Sequence, residues 1–495
     1  MGLLGNLLGP SRQAMAATID AQRQALVKIV RGRFDAASDT PLNKRHWAGA
    51  DHYSADAALS PWVRRKMRAR ARHEAQNNGY LAGMVNTLAT DAIGTGPQLL
   101  LDCGPDANQD LVARVEENVF EWHQEIDAAK KLRTMRIVKA LDGDAFAVQT
   151  NNRKLRHVQL DIRTVEAEQI ADPATRFELG GSVDGIRFDD DGNPSEYFLL
   201  KHHPGSTHYG VTLDGQWVPA DKVHHYFHAT RPGQHRGMGE VVPALELFAM
   251  LRRYQYAVVT AAETAADLAV ILKTTMPATG SAAALPLAET LPLMRGMAVA
   301  APDGWEPAQM KAEQPTSTFD AFERRILMQI ARCLNMPYIV AVMDATGANY
   351  STMRGDYLVY RKHLAAERAE IERVILDPLL DKWIEEATVV DGMIPDGLPP
   401  RDRWTWRWRW DGFEHIDPLK EANAETVGIA NKTVTRAEAC ARRGRDWRQV
   451  FRQLAAEERY AEELGVNLDG TAAGQMASDA SAAEETASQA QEQNA

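Results

Sequence analysis

Residues 241–272 read VVPALELFAMLRRYQYAVVTAAETAADLAVIL, and residues 318–335 read TFDAFERRILMQIARCLN. Both carry apolar side chains at helical spacing. The second shows the cleaner stripe, through Phe319, Phe322, Ile326, Leu327, Ile330 and Leu334. The first is rich in alanine, with Ala257, Ala261, Ala262, Ala265, Ala266 and Ala269 along it. Small side chains let helix axes approach closely, and alanine is also simply the best helix former. Both readings stand. Between the two helices lie residues 273–315, rich in Pro, Gly, Ala and Thr, with a short strand pattern at 296–300. The order helix, small insert, helix therefore organises the middle of the chain.

Downstream, residues 336–349 read as a loop containing Pro337 and Gly347. Residues 351–387 carry the longest helical pattern, about 50 Å if straight. Pro378 lacks an N–H and is expected to kink it. Residues 403–410 alternate strictly, with Trp404, Trp406, Trp408 and Trp410 on one face and Thr405, Arg407 and Arg409 on the other, which is the period of a strand. A last helical region spans about 417–464, broken near Gly444. Upstream, residues 13–31 and 61–90 have helical spacing. Ser60 before Pro61 predicts an N-cap with proline at the first helical position, and Gly94 and Gly96 end that pattern. Residues 108–130 add an amphipathic helix. From about 133 to 230 short apolar runs alternate with turns. Residues 136–141 lead into Asp142-Gly143-Asp144, residues 157–162 alternate, residues 185–188 and 197–200 flank a hairpin turn, and residues 222–228 read as one more strand. The layout is α+β, with long helices and an insert between two of them.

The chain has 495 residues, 45% hydrophobic and 25% charged. That is the composition of a soluble globular protein of two to four units. No run approaches the ~18–20 apolar residues of a membrane span, and the opening MGLLGNLLGP has no basic leader and does not read as a secretory signal. Three scattered cysteines exclude a disulfide framework and a CxxC metal site. The net charge of −11 argues against tight non-specific grip on nucleic acid. Charge is nevertheless uneven. Residues 1–75 are net basic, densest at Arg64, Arg65, Lys66, Arg68, Arg70 and Arg72, either a solvated helix face or a surface for an acidic partner. Residues 465–495 hold no Lys or Arg and read as a disordered acidic tail.

A catalytic constellation does not emerge. There is no P-loop, HExxH or nucleophile elbow. His224 and His228 are four apart but lie in a strand-like segment, where that spacing does not build a metal site. Asp142 and Asp144 read as a turn entering a buried strand rather than as paired catalytic carboxylates, and Asp189 to Asp191 as a hairpin turn rather than a calcium loop. The glycine-rich stretch 231–240 opens a helix and invites a phosphate, yet lacks the strand–GxGxxG–helix setting, so a structural hinge is the better reading. The tryptophan stripe reads as core packing in preference to base stacking. Such a layout suits an assembly component better than an enzyme.

Five segments together resemble the portal proteins of tailed bacteriophages, lambda type. They are Arg70 to Met84 running on to Ile93-Gly94-Thr95-Gly96; Asp142 to Phe146; Val218 to His225 continuing to Arg231-Pro232-Gly233-Gln234-His235-Arg236-Gly237; Met336-Pro337-Tyr338 with Asp344 to Arg354; and Trp410-Asp411-Gly412-Phe413 with Asp417-Pro418-Leu419-Lys420-Glu421-Ala422 and Arg443 to Asp446. They fall in the family's order. The run Asn349-Tyr350-Ser351, followed by Arg354, is the most specific member. The family usually has a second Ser where this chain has Thr352, and the loop 340–344 is more apolar than the pattern.

The resemblance implies a non-enzymatic ring, typically of twelve subunits, at one capsid vertex, with double-stranded DNA passing through its channel in weak, non-specific contact. It implies an N-terminal helical arm over 1–39 and a wing of mixed helix and sheet over 40–235 and 351–412, including the long kinked helix. It also implies paired stem helices over 236–270 and 316–335, a clip at 271–315, a tunnel loop at 336–350, a helical crown at 413–465 and the tail at 466–495. Asp344, Thr346, Asn349 and Tyr350 become tunnel-loop candidates, and Ala257, Ala261, Ala262 and Ala265 stem-packing candidates. Implied partners are the terminase large subunit, the major capsid or scaffold protein and head–tail adaptors. No cofactor, metal or membrane is implied. The location is the virion, with assembly in the host cytoplasm. The alternatives are another virion structural protein, capsid or adaptor, and a metal- or phosphate-binding enzyme using His224 and His228 or the 233–239 loop.

Overall fold

The computed structural model describes residues 20–21, 40–41, 44–172, 182–208, 214–267, 271–274, 305–308, 319–413 and 418–466. Residues 1–58 form a unit of their own, holding the one-turn helix Ala55–Ala58 and a turn that sets His46 edge-on to Trp47. Residues 59–495 form the second, larger unit, which carries the elements labelled below. Of the helix expected at 13–31 only residues 20–21 are described, and they are helical; the strand expected at 296–300 and the acidic tail from 467 on lie outside the described residues.

The pattern at 61–90 is two helices, α1 (Pro61–Asn77) and α2 (Gly79–Ile93). Asn78 divides them: its backbone is extended, and its side-chain oxygen accepts from the N–H groups of Tyr80 and Leu81. Ser60 stands at the N-cap position with Pro61 behind it, but only its carbonyl takes part, accepting from the Arg64 N–H. After β1 (Gln98–Asp102), the helix expected at 108–130 stops early. It runs as α3 (Gln109–Glu125), and left-handed Asp127 starts a new helix, α4 (Ala128–Asp142). Residues 136–141, expected as an extended run, are the end of α4. Its buried face steps through Ala128, Leu132, Met135, Arg136, Lys139 and Ala140, a helical period. Two of those positions are cations, which hides the period from an apolar count.

Two small sheets follow. In the first, β2 (Asp144–Asn151) lies between β3 (Leu160–Val165) and β8 (Val223–Phe227), all antiparallel. In the second, β4 (Ser182–Val183), β5 (Ile186–Phe188), β6 (Pro194–Leu200) and β7 (Gly215–Pro219) form a meander, and its β5–β6 turn is the expected hairpin. Strand β2 is buried on both sides. Ala145 and Ala147 face the large helical core, while Phe146 and Val148 join Ile186, Tyr197, Leu199 and Val218 in a second core.

The long helical pattern is α8 (Tyr350–Ile371), a wide π-type turn Glu372–Leu376, and α9 (Asp377–Ala387). In a regular helix the carbonyl of Val374 would accept from residue 378, which is proline and has no N–H. The buried His224 Nδ1 takes that place, 3.0 Å from the Val374 oxygen. The disruption therefore falls one turn before the proline.

Strand β11 (Thr405–Arg409) pairs antiparallel with β1, and its tryptophans settle in the core. Trp404, Trp408 and Trp410 are buried and Trp406 is half-buried. Each indole N–H has an acceptor: Pro399 O for Trp404, Asp377 Oδ1 for both Trp406 and Trp408, and Glu372 Oε1 for Trp410.

The central hairpin consists of α5 (Leu245–Asp267) and α6 (Phe319–Cys333), which pack antiparallel through Tyr254 against Phe319 and Phe322. Residues 271–272, read as the end of the first helix, instead belong to β9 (Ile271–Thr274), which pairs antiparallel with β10 (Trp305–Ala308). The loop at 336–349 contains a short helix, α7 (Tyr338–Val342). Helices α10 (Pro418–Ala430), α11 (Arg436–Arg442) and α12 (Trp447–Leu464) close the described chain, and the expected break falls at Gly444, φ +70°. The three cysteines are free thiols.

Removing the carboxylate in Asp377→Ala leaves two indole N–H groups without their acceptor and is expected to cost about 2–4 kcal/mol. Asp377→Asn keeps an acceptor oxygen and is expected to recover most of it, read from guanidinium unfolding midpoints.

Candidate functional site

Helix α1 carries Arg64, Arg68 and Arg72 at four-residue spacing, so all three project from one face. That face meets the Asp142-Gly143-Asp144 corner between α4 and β2. Arg72 Nε donates to Asp142 Oδ1 at 2.9 Å and its Nη2 to Glu168 at 2.9 Å. Arg68 donates to Asp144 at 3.2 Å, and Arg64 pairs with Asp184. Arg64 and Arg68 are buried, so this part of the basic cluster is neither solvated nor a docking surface; Arg65, Lys66 and Arg70 are the members near or at the surface.

The 231–240 loop closes the same centre. Gly233 takes φ +70°, and Gln234 folds the loop on itself, accepting from the Thr230 and Arg231 N–H groups and donating to the Arg236 carbonyl at 2.8 Å. The Arg236 guanidinium donates to Asp144 Oδ2 at 2.9 Å, to Asp184 Oδ2 and O, each at 2.9 Å, and to the carbonyls of Ile170 and Ala167. The Gly237 N–H donates to Asp144 Oδ1. A Cβ at Gly143 would lie 2.5–2.6 Å from the backbone of Gly237 and Met238, so glycine is what lets the two segments touch. Gln234, the Arg236 guanidinium and the Gly237 N–H are thus all engaged by protein groups, as a structural hinge requires. Burial alone would raise the Asp144 carboxyl. Arg236, His225 and Arg68 outweigh it and hold Asp144 well below the usual carboxylate range.

A second buried cluster sits one turn earlier on α4. Lys139 Nζ lies 2.8 Å from Glu367 and 3.2 Å from Glu370, and Arg136 Nη2 donates to Glu240 at 3.0 Å. The Tyr226 hydroxyl donates to Glu367 Oε2. Burial raises the Glu367 carboxyl, but Arg136 and Lys139 outweigh it and bring it down to about 2. The cluster ties α4, β8, α8 and the entry to α5 together.

Other motif residues also meet across the fold. Asp411 accepts from the Thr95 N–H at 2.6 Å and hydroxyl at 2.7 Å; Arg368 Nη1 donates to the Asp411 carbonyl at 3.1 Å. Gly412 packs on the backbone of Arg442, Arg443 and Gly444 with no room for a Cβ. Asn349 caps α8: its Oδ1 accepts from the Thr352 N–H at 2.9 Å, and Thr352 Oγ1 reaches back to the Asn349 N–H. A hydroxyl is all that position 352 needs, so Thr replaces Ser there without loss. Asp344 is half-buried and accepts from the Thr346 N–H at 2.9 Å, and Arg324 donates to the Thr346 carbonyl at 3.2 Å. The Tyr350 ring lies 5.4 Å from Lys420 Nζ, joining two separate motifs. Ser351 and Arg354 are exposed. Asp417 and the Pro418 side chain lie outside the described residues. Ala257 is exposed, Ala261 and Ala262 are half-buried, and the Ala265 side chain is not among those described.

The metal reading does not gain support. His224 is buried against Val374, whereas His228 is exposed past the end of β8. Glu166, Glu168 and His203 do cluster. There, Arg72 already pairs with both carboxylates, and His203 Nδ1 accepts from the Gly205 N–H, which places the imidazole proton on the nitrogen facing them. That is an ion-pair cluster.

The architecture that these motif residues hold together is that of the phage portal proteins. Residues 42–368 match the family model described as phage portal protein, lambda family, and the chain belongs to that family. The probable portal protein of Halomonas phage phiHAP-1 is 22% identical over 477 residues, covering 88% of this chain and 87% of its own. Portal protein B of Escherichia phage lambda is 22% identical over 479 residues, covering 85% and 88%. Among solved structures, the neck of an empty gene transfer agent particle aligns with 76% of this chain and 92% of its own at 12% identity and TM-score 0.46. An HK97-family portal protein from Corynebacterium diphtheriae aligns with 71% and 97% at 13% identity and TM-score 0.28. As a family member, the chain is a structural protein of the phage head–tail connector, the channel for genome packaging, and not an enzyme.

Two pH effects arise from the buried groups. Burial lowers the histidine pKa of His224 and His225, and brings His123 to about 4. Folding therefore excludes protons that the unfolded chain binds below about 6.5. Stability is expected to fall as pH drops from about 6.5 toward 4, and again below about 4.5 as the depressed carboxyls Glu367 and Asp144 are protonated. Asp144→Ala removes the buried counter-charge that Arg68 and Arg236 share, leaving Arg236 only Asp184 and Arg68 only Glu168, and is expected to cost about 3–5 kcal/mol at neutral pH, with a smaller cost below pH 3. Urea titrations across pH measure both.

Proposed function

We propose that the chain works as a ring of identical subunits, twelve in the virion, at one capsid vertex, and conducts double-stranded DNA during packaging and ejection. The observation that carries this is the hairpin of α5 and α6 with the β9–β10 ribbon at its end. On one subunit it leaves Met250, Tyr256, Val259, Phe322 and Met328 exposed. A single chain has no use for that much exposed apolar surface on two neighbouring helices, whereas a ring covers it.

In this reading α5 and α6 are the stem, the segment 271–315 is the clip, and residues 40–235 with 351–412 are the wing. Residues 336–350 are the tunnel loop, and residues 413–465 the crown. Asp344, Thr346, Asn349 and Tyr350 lie nearest the DNA path. Excess negative charge keeps the contact with phosphate loose enough for translocation. The clip meets the terminase large subunit during packaging and head–tail adaptors afterwards, and the major capsid or scaffold protein surrounds the ring. Assembly takes place in the host cytoplasm. No described helix is long and apolar enough to cross a membrane.

Native mass together with negative-stain imaging of the purified chain tests this. A ring with a central hole is expected, and a compact dimer or tetramer that binds metal or nucleotide would overturn it. Ala262→Glu places a charge on the half-buried flank of α5 and is expected to abolish rings while the circular dichroism of the subunit is kept. Removing residues 465–495 is expected to leave rings intact.

A further inference from the structure

A cleft of about 950 Å3 opens between α8 and β11 on one side and α10 and α11 on the other. Helix α8 lines it with one face, since Arg354, Leu358, Arg361, Ala365 and Arg368 recur at three- and four-residue spacing. Its walls carry arginines and carboxylates in nearly equal number, but the two are engaged differently. The carboxylates are all taken by the fold. Glu372 accepts from the Trp410 indole, Asp411 from Thr95, Glu425 from Arg443, Glu438 from the Thr435 N–H and Asp446 from the Arg448 N–H, and Glu421 is likewise engaged. Three of the arginines are taken too. Arg361 and Arg368 lie over Phe413, 4.9 and 5.2 Å from the ring centre, and Arg409 donates to Gln98. The other four, Arg354, Arg407, Arg442 and Arg445, are exposed, and none has a hydrogen bond or salt bridge to a carboxylate among the described residues. Like charges gathered at one cleft repel, and an anion bound among them relieves the repulsion.

The chain carries such an anion close by. Residues 467–495 contain Asp469, Asp479, Glu484, Glu485 and Glu492 and no Lys or Arg. They follow α12, whose first residue, Trp447, lines the same cleft. The 18 residues of α12 span ~27 Å. Asp479 stands 13 residues beyond Val466 and Glu484 18, chain lengths of up to ~43 and ~59 Å. Both can therefore return to the cleft. A short tether sets an effective concentration on the order of millimolar, which an untethered anion must exceed.

We infer that residues 467–495 dock in this cleft of their own chain, with Asp479, Glu484 and Glu485 pairing with Arg354, Arg407, Arg442 and Arg445. The docked segment neutralises the cleft and bars it to other polyanions. Its hold is electrostatic and weakens as salt rises.

The test is thiol cross-linking of the full chain carrying Leu358→Cys in the cleft and Ser481→Cys between the acids, in a background of Cys333→Ser and Cys440→Ser. Mild oxidation at low salt is expected to close an intrachain disulfide, identified by peptide mass. It should form at least tenfold faster than in the same chain with Asp479→Asn, Glu484→Gln and Glu485→Gln, which leave every described contact in place. Equal rates with the acidic and the neutral segment would overturn the inference. Arg354→Gln with Arg445→Gln is expected to slow the reaction as much, and lysine at both positions to restore it; no slowing would also overturn it. A labelled short duplex oligonucleotide supplies the competing occupant. It is expected to bind the chain with the neutral segment more tightly than the unsubstituted chain. Equal binding to both, lost on the glutamine changes at 354 and 445, would make the cleft a nucleic-acid site and overturn the inference.

Discussion

A single carboxylate, Asp144, is the point on which α1, the two small sheets and the 231–240 loop close. It is buried and reaches three other segments: α1 through Arg68, β8 through His225, and the 231–240 loop through Arg236 and the Gly237 N–H. An isolated charge at that depth would be prohibitive, so its partners must arrive together. A buried ion cluster of this kind adds little net stability over a well-packed apolar one. What it enforces is arrangement. A guanidinium that hydrogen-bonds the Asp144 and Asp184 carboxylates and three backbone carbonyls at once fits one geometry only, and that geometry sets where the chain leaves the sheets for the hairpin of α5 and α6.

Much of this was legible in the sequence. The helix–insert–helix order, the hairpin at 185–200, the strand at 222–228 and the tryptophan strand were all visible as period and turn chemistry. The tryptophans belong to the core because each indole N–H finds an acceptor there, which alternation alone hinted at. What the sequence concealed was polar burial. Residues 136–141 passed for an extended run because Arg136 and Lys139 occupy buried helical positions. Arg64, Arg68 and Arg72 passed for a solvated face or a surface for an acidic partner for the same reason. Their four-residue spacing, set beside Asp142 and Asp144, was the available signal, yet nothing local says that the two segments meet.

The motif residues turn out to be mostly architectural. Gly143 and Gly237 allow two backbones to touch, Gln234 folds a loop, Asn349 and Thr352 cap a helix, and Asp411 ties the end of α2 to the strand that leads toward the last helices. The departure at Thr352 is explained by that role, since the cap uses a hydroxyl and ignores the methyl. A functional label attached to such residues on pattern alone would have mistaken joints for a site.

The Asp144 centre also has a history in time. Its arginines on α1 emerge from the ribosome well before Arg236 and the loop that completes the cage. At ~5–20 residues per second the delay is on the order of ten seconds or more. Through that interval α1 is a bare basic face, and its contacts are of high sequence separation, the slowest kind to form. The body around Asp144 is therefore the late-closing part of the chain. The same arginines that are silent in the finished fold are the residues most exposed to wrong partners while it is being made.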